Sequence, residues 1–211
     1  MKQIFAVFVT SATVVACAVN HETTPASVEL DASVARSQAS ALTAAVTAAQ
    51  ASDGAAIADA IGRVGDLAAG LVPETKGGMR RRGASTTCSC PSGTTSCTFS
   101  ACTIGDAVVS GSVSWAEGAI TCTNLALDAP AARVEVDCAL TYATGTIAGT
   151  VHTTGNATVS GTTYTWEASL TAKAITFTSS ALTGGTLDVS ATVTSSTDAT
   201  SYTASAVVTL P

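Results

Sequence analysis

Charge is scarce in this chain, and positive charge scarcest: nine lysines and arginines stand against fifteen acids in 211 residues, a net charge of −6. A duplex nucleic-acid binder concentrates basic residues on one face, so nucleic acid is excluded as a partner. Long apolar runs are missing as well. The most apolar stretch, Ile4 to Ala16, is interrupted by Thr10, Ser11 and Thr13 and falls short of the ~20 residues a membrane-spanning helix needs. No Gly-x-Ser-x-Gly, His-Glu-x-x-His or phosphate-binding glycine loop occurs, so no local motif names a reaction. Aromatic residues make up only 4% of the chain, and any core must therefore be built from small side chains.

What the chain does contain is alanine, threonine and an even set of cysteines. An apolar fraction of 46% beside 11% charged residues is the opposite of the composition that keeps a chain unfolded. Alanine accounts for 41 residues, and its high helix propensity matters in the first third of the chain. Threonine dominates the rest: 29 of 36 follow residue 84, where β-branching favours extended backbone.

The chain opens with Met1-Lys2-Gln3, one positive charge, followed by the apolar stretch to Ala16, which is the shape of a signal peptide. Its end, Val14-Val15-Ala16-Cys17, resembles the lipobox of bacterial lipoproteins: an aliphatic residue, a tolerant position, a small residue, then cysteine. The resemblance covers the export segment alone. It implies cleavage before Cys17, lipid attachment at the Cys17 thiol, and acylation of the new amino terminus. At about 0.8 kcal/mol per buried CH₂, several chains together make a lasting anchor. Ala18 is not the aspartate that retains many such proteins at the inner membrane, so the resemblance implies an outer-membrane destination. Ala16-Cys17-Ala18 also fits ordinary signal-peptidase cleavage, the competing reading.

The mature chain divides by composition. Residues 17–32 form the lipidated cysteine and a polar tether containing His21, which a flexible segment leaves solvated. Residues 33–72 carry apolar side chains at helical spacing: Ala35, Ala39, Leu42, Val46 and Ala49, then Ile57, Ile61, Val64, Ala68 and Leu71. Two helices are expected, separated at Ser52-Asp53-Gly54, where serine or aspartate suits a cap and glycine disfavours helix. Residues 73–83, with Arg80, Arg81 and Arg82, read as a basic glycine-rich linker.

Residues 84–211 read as strands. Val134, Val136, Cys138, Leu140 and Tyr142 alternate with Arg133, Glu135, Asp137, Ala139 and Thr141, the pattern of a half-buried strand. Tyr164 to Lys173, Leu187 to Val193 and Tyr202 to Leu210 repeat it. Turns are expected at Ala116-Glu117-Gly118, Asp128-Ala129-Pro130, Gly155-Asn156, Gly184-Gly185 and Ser196-Thr197-Asp198. The large residues change parity near Ala174, which predicts a bulge or turn there. The expected fold class is α+β, with the alanine-rich helices packed on a curved antiparallel meander of about eight to ten strands.

Six cysteines follow Cys17: Cys88, Cys90, Cys97, Cys102, Cys122 and Cys138. In an exported chain disulfides are the default. Cys122 and Cys138 lie symmetrically about the Asp128 turn, which favours a cross-strand bridge; the other four admit three pairings. A zinc site is the weaker alternative, since no histidine lies within the cluster. His152 falls on the face opposite Ile147 and Val151, the solvent side. Glu135 and Asp137 share a face and suggest calcium, but Arg133 beside them compensates charge more simply.

Catalytic, cofactor and metal residues are thus expected to be none, and no cofactor is expected. The sequence points to a non-enzymatic, lipid-anchored protein of the bacterial cell envelope, joined to the membrane through Cys17, with a structural or interaction role and an envelope protein as possible partner. The alternative is a carrier of lipid or another hydrophobic ligand, enclosed between helices and sheet.

Overall fold

The computed structural model describes residues 32–69, 87–130, 132–178, 181–197 and 201–210. The export segment with Cys17, the tether with His21 and the basic linker at 73–83 lie outside the described residues. Among the described residues two helices, α1 (Ala32–Gln50) and α2 (Gly54–Ala69), precede eight strands. These are β1 (Ser96–Ile104), β2 (Ala107–Ala116), β3 (Ala119–Ala129), β4 (Ala132–Ala143), β5 (Thr146–Val159), β6 (Thr162–Phe177), β7 (Leu182–Ser195) and β8 (Ser201–Thr209). Each strand pairs antiparallel with the next in one open sheet, ordered β1 to β8. None of the described helices is long and apolar enough to cross a membrane.

The helices form because alanine costs least in helical backbone, and they persist because one stripe is covered. Ala35, Ala39, Leu42, Val46 and Ala49 of α1 are buried, as are Ile57, Ile61 and Val64 of α2. Between the helices the chain reverses through a C-terminal cap: the amides of Ser52 and Asp53 donate to the carbonyls of Ala49 and Ala48, with Ser52 left-handed at φ 56°. Asp53 then caps α2, its Oδ1 accepting from the Ala56 amide at 3.0 Å. Gly54 does not break the helix as its position implied; it is the first residue of α2. A Cβ there would lie 2.5 Å from Cys90 Sγ and 2.7 Å from the Trp115 ring, so glycine permits the helix to seat on the sheet. Gly65 has the same task against Val134, whose Cγ1 lies 2.4 Å from where a Cβ would stand.

In the sheet, side chains alternate between a face that meets the helices and a face that meets water. β4 shows it most plainly, with Val134, Val136, Cys138 and Leu140 buried and Arg133, Glu135, Asp137 and Ala139 exposed. The turns at Glu117-Gly118, after Ala129 and after Ser195 fall where the sequence placed them. Two others do not. β5 runs straight through Gly155-Asn156 and reverses at Ser160-Gly161 instead, because Gly155 is a contact for Trp166 and not a turn. Gly184 and Gly185 lie inside β7, at φ 159° and 107°.

The reason for that second departure is the bulge at Ala174. Its φ is 48°, and the β5–β6 and β6–β7 registers both shift beside it. The Ala174 carbonyl and the Ile175 backbone approach Gly185 so closely that a Cβ there would meet them at 2.5 to 2.6 Å. A second bulge at Asn124, φ 48°, shifts both of its neighbouring registers and presses its carbonyl against Gly111, 2.1 Å from a would-be Cβ. Each bulge adds a residue to one strand, bends it and increases its local twist.

Candidate functional site

Three pairs of cysteines are joined. Cys122 and Cys138, facing each other across β3 and β4, are bridged with a Cα separation of 4.7 Å. Cys88 bonds Cys102, and Cys90 bonds Cys97; this nested arrangement was one of three that the sequence left open. It clamps the chain at 88–90 along the outer side of β1. Bonded sulfurs are not thiolate ligands, and among the described residues no group of three or more His, Cys, Asp or Glu side chains converges as a metal site would.

The water-facing side of the sheet carries the polar chemistry. Its rows run across the strands: Asp137, His152, Ser169, Ser190 and Ser205 are successive neighbours in register from β4 to β8, and Glu135, Thr154, Glu167, Thr192 and Thr203 form the next row. Hydroxyls link neighbouring strands directly, as in Thr192 to Thr203 at 3.4 Å, Thr194 to Ser201 at 3.0 Å and Thr158 to Thr163 at 3.2 Å. Such cross-strand pairs each contribute a few tenths of a kcal/mol to about 1 kcal/mol.

Acids outnumber bases on this face: Asp128, Glu135, Asp137, Glu167 and Asp188 stand beside Arg133 and Lys173, and both bases are held in ion pairs. Arg133 hydrogen-bonds Glu135 at 2.6 Å and Asp128 at 3.1 Å. The hydrogen bond to Glu135, and next the charge of Asp128, raise the guanidinium's pKa above its ordinary value. Asp137 is occupied differently: its Oδ1 accepts from the Asn124 amide at 2.8 Å, which fixes the bulge. Glu135 and Asp137 are therefore committed to separate partners rather than to a shared cation. Lys173 pairs with Asp188 further along the face.

His152 lies on the exposed face, opposite the buried Ile147 and Val151. Its Nδ1 is 3.2 Å from Ser169 Oγ and its Nε2 is 3.7 Å from Glu167 Oε1. These two partners were missed by sequence reasoning, although the Ser160-Gly161 turn contained the signal: a two-residue turn there sets His152 opposite Ser169. Serine, histidine and carboxylate are the residue types of acyl transfer, but that chemistry also needs enclosed donors for a developing oxyanion. Here the His152 and Glu167 side chains are 44% and 69% exposed, and the strand amides around them are engaged in the sheet ladder.

Between helices and sheet, Gln38, Val64, Val151, Thr153, Ala168, Leu170 and Val189 line a cavity of about 10 Å³. That is space for about one water molecule. No family model, no curated protein and no solved structure matches this chain.

Proposed function

We propose that this chain is a non-enzymatic, lipid-anchored protein of the bacterial cell envelope, held at the outer membrane through Cys17, with a structural or interaction role. The observation that carries the reading is how the cysteines are divided. Six are consumed in three disulfides of the sheet region, as an oxidising compartment allows. The seventh, Cys17, ends the lipobox-like Val14-Val15-Ala16-Cys17. The hydroxylated outer face, whose bases Arg133 and Lys173 are held in ion pairs, supports a surface made for solvent and contact rather than for turnover. The lipid-carrier reading draws no support from the helix–sheet cavity, whose 10 Å³ compares with roughly 300 Å³ or more in ordinary ligand pockets.

Metabolic labelling with a clickable fatty-acid analogue tests the anchor. The wild-type chain is expected to take the label and to sediment with membranes, and Cys17→Ala to lose both. Export of an unlabelled, processed wild-type chain overturns the proposal. Mass spectrometry of the purified protein addresses the carrier reading separately, since a stoichiometric co-purifying lipid released on unfolding favours it.

A further inference from the structure

The two edges of the sheet are treated differently. At β1 the outer edge is covered at Thr103 by Thr87, from the chain's own segment 87–90. The Thr87 amide donates to the Thr103 carbonyl at 2.9 Å, and the Thr103 amide donates to Thr87 Oγ1 at 2.8 Å. The Cys88–Cys102 and Cys90–Cys97 disulfides hold the segment there, and a register shift between Phe99 and Cys102 interrupts the strand. Covering an edge and bulging it are the established defences against unwanted strand pairing.

β8 has neither. It pairs with β7 in unbroken register over nine residues, and its sequence, SYTASAVVT, holds no charge, proline or glycine. The direction of its free hydrogen-bonding groups follows from one contact. The Leu210 amide donates to Gly185 of β7, and alternate residues of an antiparallel strand point opposite ways. Ser201, Thr203, Ser205, Val207 and Thr209 therefore direct their amides and carbonyls away from β7, where no described strand receives them. Val207, one of the five, is 63% exposed.

We propose that a second copy of this chain pairs along β8, antiparallel, about a two-fold axis at Ser205. In this register Ser205 meets its own counterpart, Thr203 meets Val207, and Ser201 meets Thr209, so all five outward residues are engaged. On the helix side Ala204 meets Ala206, small against small, and Tyr202 meets Val208, an aromatic against a β-branched residue, so no charge is buried. Identical strands satisfy one another because a two-fold contact needs only a self-complementary surface. The β1 edge, capped at Thr103, tethered by two disulfides and interrupted between Phe99 and Cys102, ends the assembly at two chains, giving one sixteen-stranded sheet with a continuous hydroxylated face. The inference is independent of lipid attachment.

The test uses the full chain with Cys17→Ala, so that no lipid contributes to association. Analytical ultracentrifugation is expected to give twice the monomer mass at high concentration. Amide exchange is expected to show protection at Thr203, Ser205 and Val207 that falls on dilution. Ser205→Pro removes an amide that β7 does not use, a position where an edge strand tolerates proline, and Val207→Lys places a charge on the same edge. Either variant, folded by near-ultraviolet circular dichroism, is expected to sediment as a monomer. A monomeric parent chain overturns the proposal, as do a dimer unaffected by the folded variants, assemblies larger than two, and concentration-independent protection of the three amides. The last result would assign the edge to another segment of the same chain.

Discussion

Gly155 lies beneath the indole of Trp166, the residue it faces across β5 and β6. A Cβ on Gly155 would stand 2.3 Å from Trp166 Cζ2 and 2.5 Å from the Arg133 carbonyl, so the glycine is required by space and not by a turn. Gly155→Ala is expected to destabilise the protein by about 1 to 3 kcal/mol, the usual cost of overpacking. Urea denaturation followed by tryptophan fluorescence checks it. An unchanged midpoint would mean that the ring does not rest on this strand.

The Cys122–Cys138 bridge closes a loop of sequence separation 16, for which restriction of the unfolded chain is worth about 3 kcal/mol. The double variant Cys122→Ala/Cys138→Ala is expected to lose stability of that order, read as a lower unfolding free energy in denaturant titration with a steeper slope, because the opened unfolded chain exposes more surface. Thiol titration of the denatured wild-type chain without reductant is expected to find none of the six sheet-region thiols free; six titrating thiols would be incompatible with the pairing described.

Thr153 presents a buried hydroxyl to the helix–sheet cavity, and its Oγ1 has no hydrogen-bond partner among the described residues; the same holds for Gln38 Oε1, which lines the same space. An unsatisfied buried polar group costs about 1 to 3 kcal/mol. Thr153→Val preserves the shape and removes the hydroxyl, and is expected to raise stability by about 1 kcal/mol in chemical denaturation. A loss of stability would show that the hydroxyl is satisfied in solution.

The strand faces were legible because β-alternation is a local property. Val134 to Leu140 reveals its buried side from composition alone, and the parity change near Ala174 marks the bulge found there. What misled was glycine. Gly155, Gly184 and Gly185 resemble punctuation in one dimension, yet each answers to a neighbouring strand: an indole over Gly155, and the Ala174 bulge beside Gly185. Once Gly155-Asn156 is taken for a turn, the true reversal at Ser160-Gly161 is lost, and with it the pairing of His152 with Ser169 and Glu167. The same logic governs the cysteines. Cys122 and Cys138 follow from one hairpin, whereas the nesting of Cys90–Cys97 within Cys88–Cys102 depends on how residues 87–90 return along β1. No local pattern encodes that return.

Gly65 tests whether helices and sheet fold as one body. In the helix, alanine is better than glycine by about 1 kcal/mol, so Gly65→Ala would stabilise an α2 that stood free. Against the sheet, the new methyl would lie 2.4 Å from Val134 Cγ1, and valine's branched side chain has little freedom to turn aside. Gly65→Ala is therefore expected to destabilise by about 1 to 2 kcal/mol, the overpacking cost less the helical gain. Val134→Ala alone is expected to cost stability by opening a cavity. Combined, the methyl added at residue 65 enters space freed by the two methyls removed at residue 134, and the double variant is expected to be more stable than the sum of the single losses, with a coupling of about 1 kcal/mol or more. The measurement is a double-mutant cycle in urea, followed both by helical ellipticity and by tryptophan fluorescence. Coincident transitions and a favourable coupling are the expected result. Additive effects, or a helical signal that melts apart from the tryptophans, would separate α2 from β4 and remove the packing that places the helices on the sheet.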